Sequence, residues 1–138
     1  HAPKVVGPNH FLIYDNGNVR ADEAPWSRVV EYIVDPEAGT AEEVWSVPVE
    51  RDGYSPMVGY VERLPNHNTL ITDGALYNYI PAIGLFDPSP WNAILREVGS
   101  GQNPEVHWRL TITKRESHAH DGFVVYRALD YPGFYFND

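Results

Sequence analysis

The sequence predicts an all-β chain assembled from four-stranded antiparallel sheets, and three observations carry that prediction. Twelve prolines and eleven glycines interrupt the 138 residues every few positions, which leaves no room for long helices. The segments between them are short and rich in Val, Ile, Tyr and Trp, residues that fit a pleated sheet. Finally, GPNHFLIYDNG (7–17) returns as LPNHNTLITDG (64–74). Pro8 to Pro65, Asn9 to Asn66, His10 to His67 and Gly17 to Gly74 are each 57 residues apart (65 − 8). A one-residue slip inside the echo sets Leu12-Ile13 against Leu70-Ile71.

Taken in order, HFLIYD (10–15), RVVEYIVD (28–35), EEVWSVPV (42–49), MVGYVERL (57–64) and NTLITD (68–73) read as strands. So do AILREV (93–98), EVHWRLTIT (105–113) and GFVVYRALDY (122–131), and no segment keeps a 3.6-residue period over three turns. Each Pro-Asn-His lies between strand candidates, where Asn takes the left-handed conformation a tight hairpin needs. After each echo comes a third strand (VVEY; ILRE) and then a fourth carrying Val44-Trp45 or Val106-His107-Trp108. Two units with the motif at the same place predict β-propeller blades over 1–49 and 57–113, with 122–131 beginning or closing another. On this reading the echo is scaffold: a turn that includes His10 or His67, a buried Leu-Ile pair and a closing Asp-Gly turn. ALYNYIPAIGLFDPSPW (75–91) lengthens the second unit as an insertion, with Tyr77, Tyr79, Phe86 and Trp91 either lining a pocket or anchoring a loop. Trp45 and Trp108 hold equivalent places and are expected to pack between blades.

About two blades leave sheet edges open, whereas propellers close with about four to eight blades. The chain is therefore expected to be a fragment, or to have its edges covered by other blades, another chain or a second copy. Its first residue is His rather than Met and no signal peptide precedes it, which reads as a processed or cut chain.

Ten Lys and Arg against nineteen Asp and Glu give a net charge of −9, which argues against a nucleic-acid partner. An anionic small substrate remains compatible if local donors hold it. No apolar run approaches the ~18 residues of a membrane span. Without cysteine there are no disulfides and no thiolate metal sites.

Several stretches, in one order, carry a more specific message. They are His1-Ala2, Tyr14-Asp15-Asn16-Gly17, Ser27-Arg28, Glu31-Tyr32, Asp35, Thr40, Val44-Trp45, Tyr54-Ser55-Pro56 and Leu64-Pro65-Asn66. Together with the closing VYRALDYPGFY they resemble the arylsulfotransferases, densely over 1–74, thinly over 75–121 and again at 122–133. The resemblance implies a six-bladed propeller, of which this chain is the C-terminal part. It also implies an enzyme that moves a sulfuryl group from an aryl sulfate to a phenol acceptor without a nucleotide donor or other cofactor. Its nucleophile, a histidine that becomes a transient sulfohistidine, falls on His1, and a threonine thought to contact the sulfuryl oxygens falls near Thr72. Arg20 and Tyr54 are the substrate-binding candidates, Arg20 serving either as a bidentate sulfate donor or as a partner of Asp22 or Glu23. A periplasmic or extracellular setting goes with the family. The departures are His67 where the family's turn has Gly, the insertion at 75–91, and the family's other site residues, which belong to blades upstream of this chain.

Two metal readings compete. His1 resembles the start of a copper histidine brace, but that site requires a second histidine and a different scaffold. His118 and His120 of SHAHD would face the same way on a strand and share a metal with Asp121, though a solvated loop explains them as simply. No metal is assigned. The non-catalytic alternative is a propeller piece that keeps the scaffold as a structural or binding module.

Overall fold

The computed structural model of the chain describes residues 1–19, 25–48, 53–80, 85–113 and 123–130, with the backbone alone at 78–80 and 85–91. The architecture is all-β, with no helix among the described residues. The first sheet joins β1 (Lys4–Gly7), β2 (His10–Asp15), β3 (Arg28–Asp35) and β4 (Thr40–Pro48) as an antiparallel meander in chain order. The second joins β6 (Tyr60–Arg63), β7 (Thr69–Ile80), β8 (Leu85–Val98) and β9 (Val106–Ile112) in the same way, with the two-residue β5 (Gly53–Tyr54) pairing the far end of β7.

The two sheets share a cross-strand row. In the first, Lys4 lies opposite Leu12, Leu12 opposite Glu31, and Glu31 opposite Trp45. In the second, Glu62 lies opposite Leu70, Leu70 opposite Glu97, and Glu97 opposite Trp108. The second strands therefore superpose with an offset of 58 (70 − 12), not the 57 at which the Pro-Asn-His letters repeat. The turns obey the same slip. Asn9 is left-handed (φ 55°) as expected, but the left-handed residue of the second turn is His67 (φ 68°), not Asn66. There His67 N donates to Leu64 O at 2.9 Å, while Asn66 uses its side-chain oxygen to accept Asn68 N at 3.0 Å.

Further expectations change. Gly17 closes a turn, with φ 69° and its N–H on Asp15 Oδ1 at 2.9 Å, but Gly74 sits inside β7. The chain at Val125 crosses there, its N–H donating to Gly74 O at 2.8 Å, and a Cβ on Gly74 would stand 2.0 Å from Val125 O. Much of the insertion is sheet, since β7 extends to Ile80 and β8 starts at Leu85, the two paired antiparallel. Within 122–131 the described part, 123–130, carries no strand and is tied instead across β7.

Alternation places Leu12 and Tyr14 of β2, and Trp45 and Val47 of β4, on one buried face with Val29 of β3. They pack against Val61, Ile71, Leu76, Ile94 and Val98 of the second sheet, so the core lies between the sheets. A buried polar group crosses it. Tyr14 OH donates to Asp73 Oδ1 at 3.0 Å, Arg96 Nε donates to Asp73 Oδ2 at 2.9 Å, and Arg96 Nη2 reaches Pro48 O at 3.1 Å. Asp73 and Arg96 are both out of solvent, so each requires the other.

Candidate functional site

His1 is fixed at the end of the first sheet remote from the Pro-Asn-His turn. Its main-chain N–H donates to Tyr14 O at 2.5 Å and its carbonyl accepts Tyr14 N at 3.1 Å, so it pairs with β2 beyond the end of β1. Ala2 between them is left-handed (φ 46°), a conformation that costs a side-chain-bearing residue about 1–3 kcal/mol. That bend carries His1 out of the register of β1, as a bulge re-aims a side chain.

The ring is exposed, and its Nδ1 lies 2.6 Å from Asn16 Oδ1. Asn16 follows Asp15 in the turn that Gly17 closes, which projects its side chain away from the strand. Its Nδ2 donates to Ser55 O at 2.5 Å and lies 3.3 Å from Val58 O. Behind it stand two fully buried serines. Ser27 Oγ accepts Ser55 N at 2.9 Å and shares its proton between Asn16 O at 3.0 Å and Ser55 O at 3.3 Å. Ser55 Oγ donates to Val58 O at 2.5 Å.

Tyr54 belongs to the same end. Its hydroxyl donates to Asn18 Oδ1 at 2.9 Å, Asn18 Nδ2 donates to Pro56 O at 3.0 Å, and burial followed by the neighbouring Tyr77 raises the phenol's pKa. Thr72 is placed differently. It is fully buried on β7 beside Asp73, and its Oγ1 accepts Ala128 N at 2.9 Å. His1 and Tyr54 thus converge through Asn16, Asn18 and the 54–58 segment, while no hydrogen bond among the described residues joins either to Thr72. Arg20, Asp22, Glu23, His118, His120 and Asp121 lie outside the described residues, as do the side chains of Tyr79, Phe86 and Trp91.

The Pro-Asn-His histidines sit at the opposite end, His10 as the first residue of β2 and His67 in the turn before β7. His10 Nε2 is 2.7 Å from Glu31 Oε1, an ion-pair distance without hydrogen-bond alignment, and Glu31 also meets Arg63. The carbonyl of His67 accepts Arg63 Nη1 at 3.1 Å. In the second sheet Glu97 does the matching work, accepting from Asn66, Asn68 and Trp108, and these bonds pull its pKa down, that of Asn68 first.

Sequence reasoning treated Asn16 as a turn residue and gave Ser27 and Ser55 no role. The available signal was that all three fall in the stretches carrying the family resemblance.

A family model described as Arylsulfotransferase (ASST) matches residues 1–123. The chain is also 34% identical over 95 residues to the arylsulfate sulfotransferase AssT of Escherichia coli O6:H1 (strain CFT073). That match takes in 63% of this chain and spans 15% of the relative's length.

Proposed function

The chain belongs to the arylsulfotransferase family, and on that premise we propose that it supplies the nucleophile-bearing part of an enzyme passing a sulfuryl group from a phenolic sulfate ester to another phenol. The observation that carries this reading is His1 itself: an exposed residue, on a family-matching stretch, with its Nδ1 held by Asn16.

In the proposed reaction the Nε2 lone pair attacks sulfur. The N–S bond forms as the S–O bond to the aryl group breaks, and the phenolate leaves with the bonding pair. The acceptor's phenolate oxygen then attacks sulfur, the S–N pair returns to Nε2, and the proton lost by the acceptor is balanced by the one the first phenolate gains. Tyr54 and Arg20 are the proposed substrate contacts, and the remaining hydroxyl proton of buried Thr72 is its means of meeting a sulfuryl oxygen. A non-bridging sulfate oxygen gains charge-assisted hydrogen bonds from a guanidinium such as that of Arg20. The −9 background opposes this weakly, since exposed charges beyond about 10 Å are screened at 0.1 M salt.

The two sheets are proposed to be neighbouring blades of a six-bladed propeller, a reading supported by their matched Leu–Glu–Trp rows. The remaining blades would then complete the substrate site. A periplasmic or extracellular location goes with the proposal; no helix among the described residues is long and apolar enough to cross a membrane.

Rapid-quench mass spectrometry of the full-length protein with an aryl sulfate tests the reaction. An adduct of one SO3 group on His1, absent in His1→Ala together with turnover, is expected. No adduct in wild type, or undiminished turnover in the mutant, would leave the non-catalytic module as the reading.

A further inference from the structure

We infer that Asn16 is a positioning residue that locks His1 in the tautomer with its proton on Nδ1 and the lone pair on Nε2. The tautomer follows from the acceptors around the amide and does not depend on the reaction; the consequence for catalysis rests on the sulfotransferase reading.

An Asn amide has two chemically different ends, and its surroundings decide which points where. One end of Asn16 faces Ser55 O at 2.5 Å and Val58 O at 3.3 Å. Carbonyl oxygens only accept, so that end must be the NH2. The other end is then the oxygen, which also only accepts, and it lies 2.6 Å from His1 Nδ1. Nδ1 must therefore donate. In a neutral imidazole the proton on Nδ1 leaves Nε2 with the lone pair, the only form in which Nε2 is a nucleophile.

The amide cannot readily turn over. Ser27 bonds the Asn16 carbonyl and the 55 main chain together, Ser55 Oγ pins Val58 O, and both serines are fully buried. The Asp15–Gly17 turn fixes the backbone from the other side. His1 is held by its own main chain at Tyr14, and its main-chain N also lies 3.4 Å from Asn16 Oδ1, the oxygen that faces the ring. The array thus sets which nitrogen attacks before any substrate arrives.

The test is nitrogen-15 NMR of the full-length protein carrying labelled histidine, at a pH where the imidazole is neutral, with His1 assigned by its disappearance in His1→Gln. Wild type is expected to show a protonated Nδ1 and a bare Nε2. Asn16→Ala is expected to show mixed tautomers and to lose kcat by about 10- to 100-fold, the scale typical of an outer partner that orients a ring, with KM changing far less. A wild-type ring protonated at Nε2 overturns the inference, as does an Asn16→Ala protein with the original tautomer and full kcat. If the variant does not fold, the wild-type spectrum still decides. A wild type with protonated Nδ1 but no sulfuryl adduct supports the tautomer and rejects the reaction, so the two failures are told apart.

Discussion

Asp73 is the residue on which the two sheets depend most. Its oxygens accept from Tyr14 and Arg96, both from other strands, and none of the three side chains reaches solvent appreciably. Asp73→Ala leaves the Arg96 guanidinium buried without its partner, and the expected loss is about 3–5 kcal/mol in urea unfolding. Tyr14 gives a pH test of the same group. Burial, and then the Asp73 carboxylate, raise its pKa well above the ordinary value. The folded protein therefore holds this proton more tightly than the unfolded chain, so stability is intact below about pH 10, where an unfolded tyrosine titrates, and falls as pH rises beyond it. Tyr14→Phe should be less stable at neutral pH and lose stability less steeply above pH 10; an unchanged alkaline slope would show that Tyr14 is not the linked group. None of this was legible beforehand, since Asp73 read as half of an Asp-Gly turn. Nothing local distinguishes a turn aspartate from one that meets Arg96 from a different strand.

At the scale of elements, the longer strands were legible, but β1 and β5 were not among those expected, the described part of 122–131 is no strand, and strand extent was not legible. Alternating apolar residues mark β2, β3 and β4 plainly, whereas β7 and β8 continue through a proline-studded segment that reads as a loop. Cross-strand pairing extended them, and pairing is not written in either strand alone. The glycines divide in a way that can be measured. A Cβ on Gly59 would stand 2.2 Å from the Tyr14 ring, and one on Gly74 2.0 Å from Val125 O, a backbone atom with little freedom to yield. Gly59→Ala and Gly74→Ala should each cost about 1–3 kcal/mol or more by overpacking. Gly39→Ala meets no atom within 4 Å and bears only its left-handed backbone (φ 66°), roughly 1–2 kcal/mol. Denaturant midpoints of the three variants check the order; Gly74→Ala as mild as Gly39→Ala would mean that the 123–130 segment does not lie against β7.

For the molecule as a whole, the matched rows set the same face of the two sheets side by side. Trp45 in the first sheet is 7% exposed, and the second sheet covers it, Gly101 O accepting its Nε1 at 3.1 Å. Trp108 holds the same place in the second sheet and is 43% exposed, with Leu110 two residues further along β9, and with Leu70, Leu95 and Leu129 lining the adjoining groove. What covers the first sheet's face is another sheet of the same kind, and under the proposed propeller reading a further sheet of that kind would cover the second sheet's face. With no such sheet available, exposed apolar side chains on an edge strand favour association between copies. The 138-residue chain studied alone should therefore sediment as more than a monomer at micromolar concentration. Trp108→Glu combined with Leu110→Lys should shift it toward monomer, because two charges on this face make its burial costly. Analytical ultracentrifugation reads both outcomes. A compact monomer in the unmodified chain would show that the face is stable in water and that the second sheet needs no neighbour.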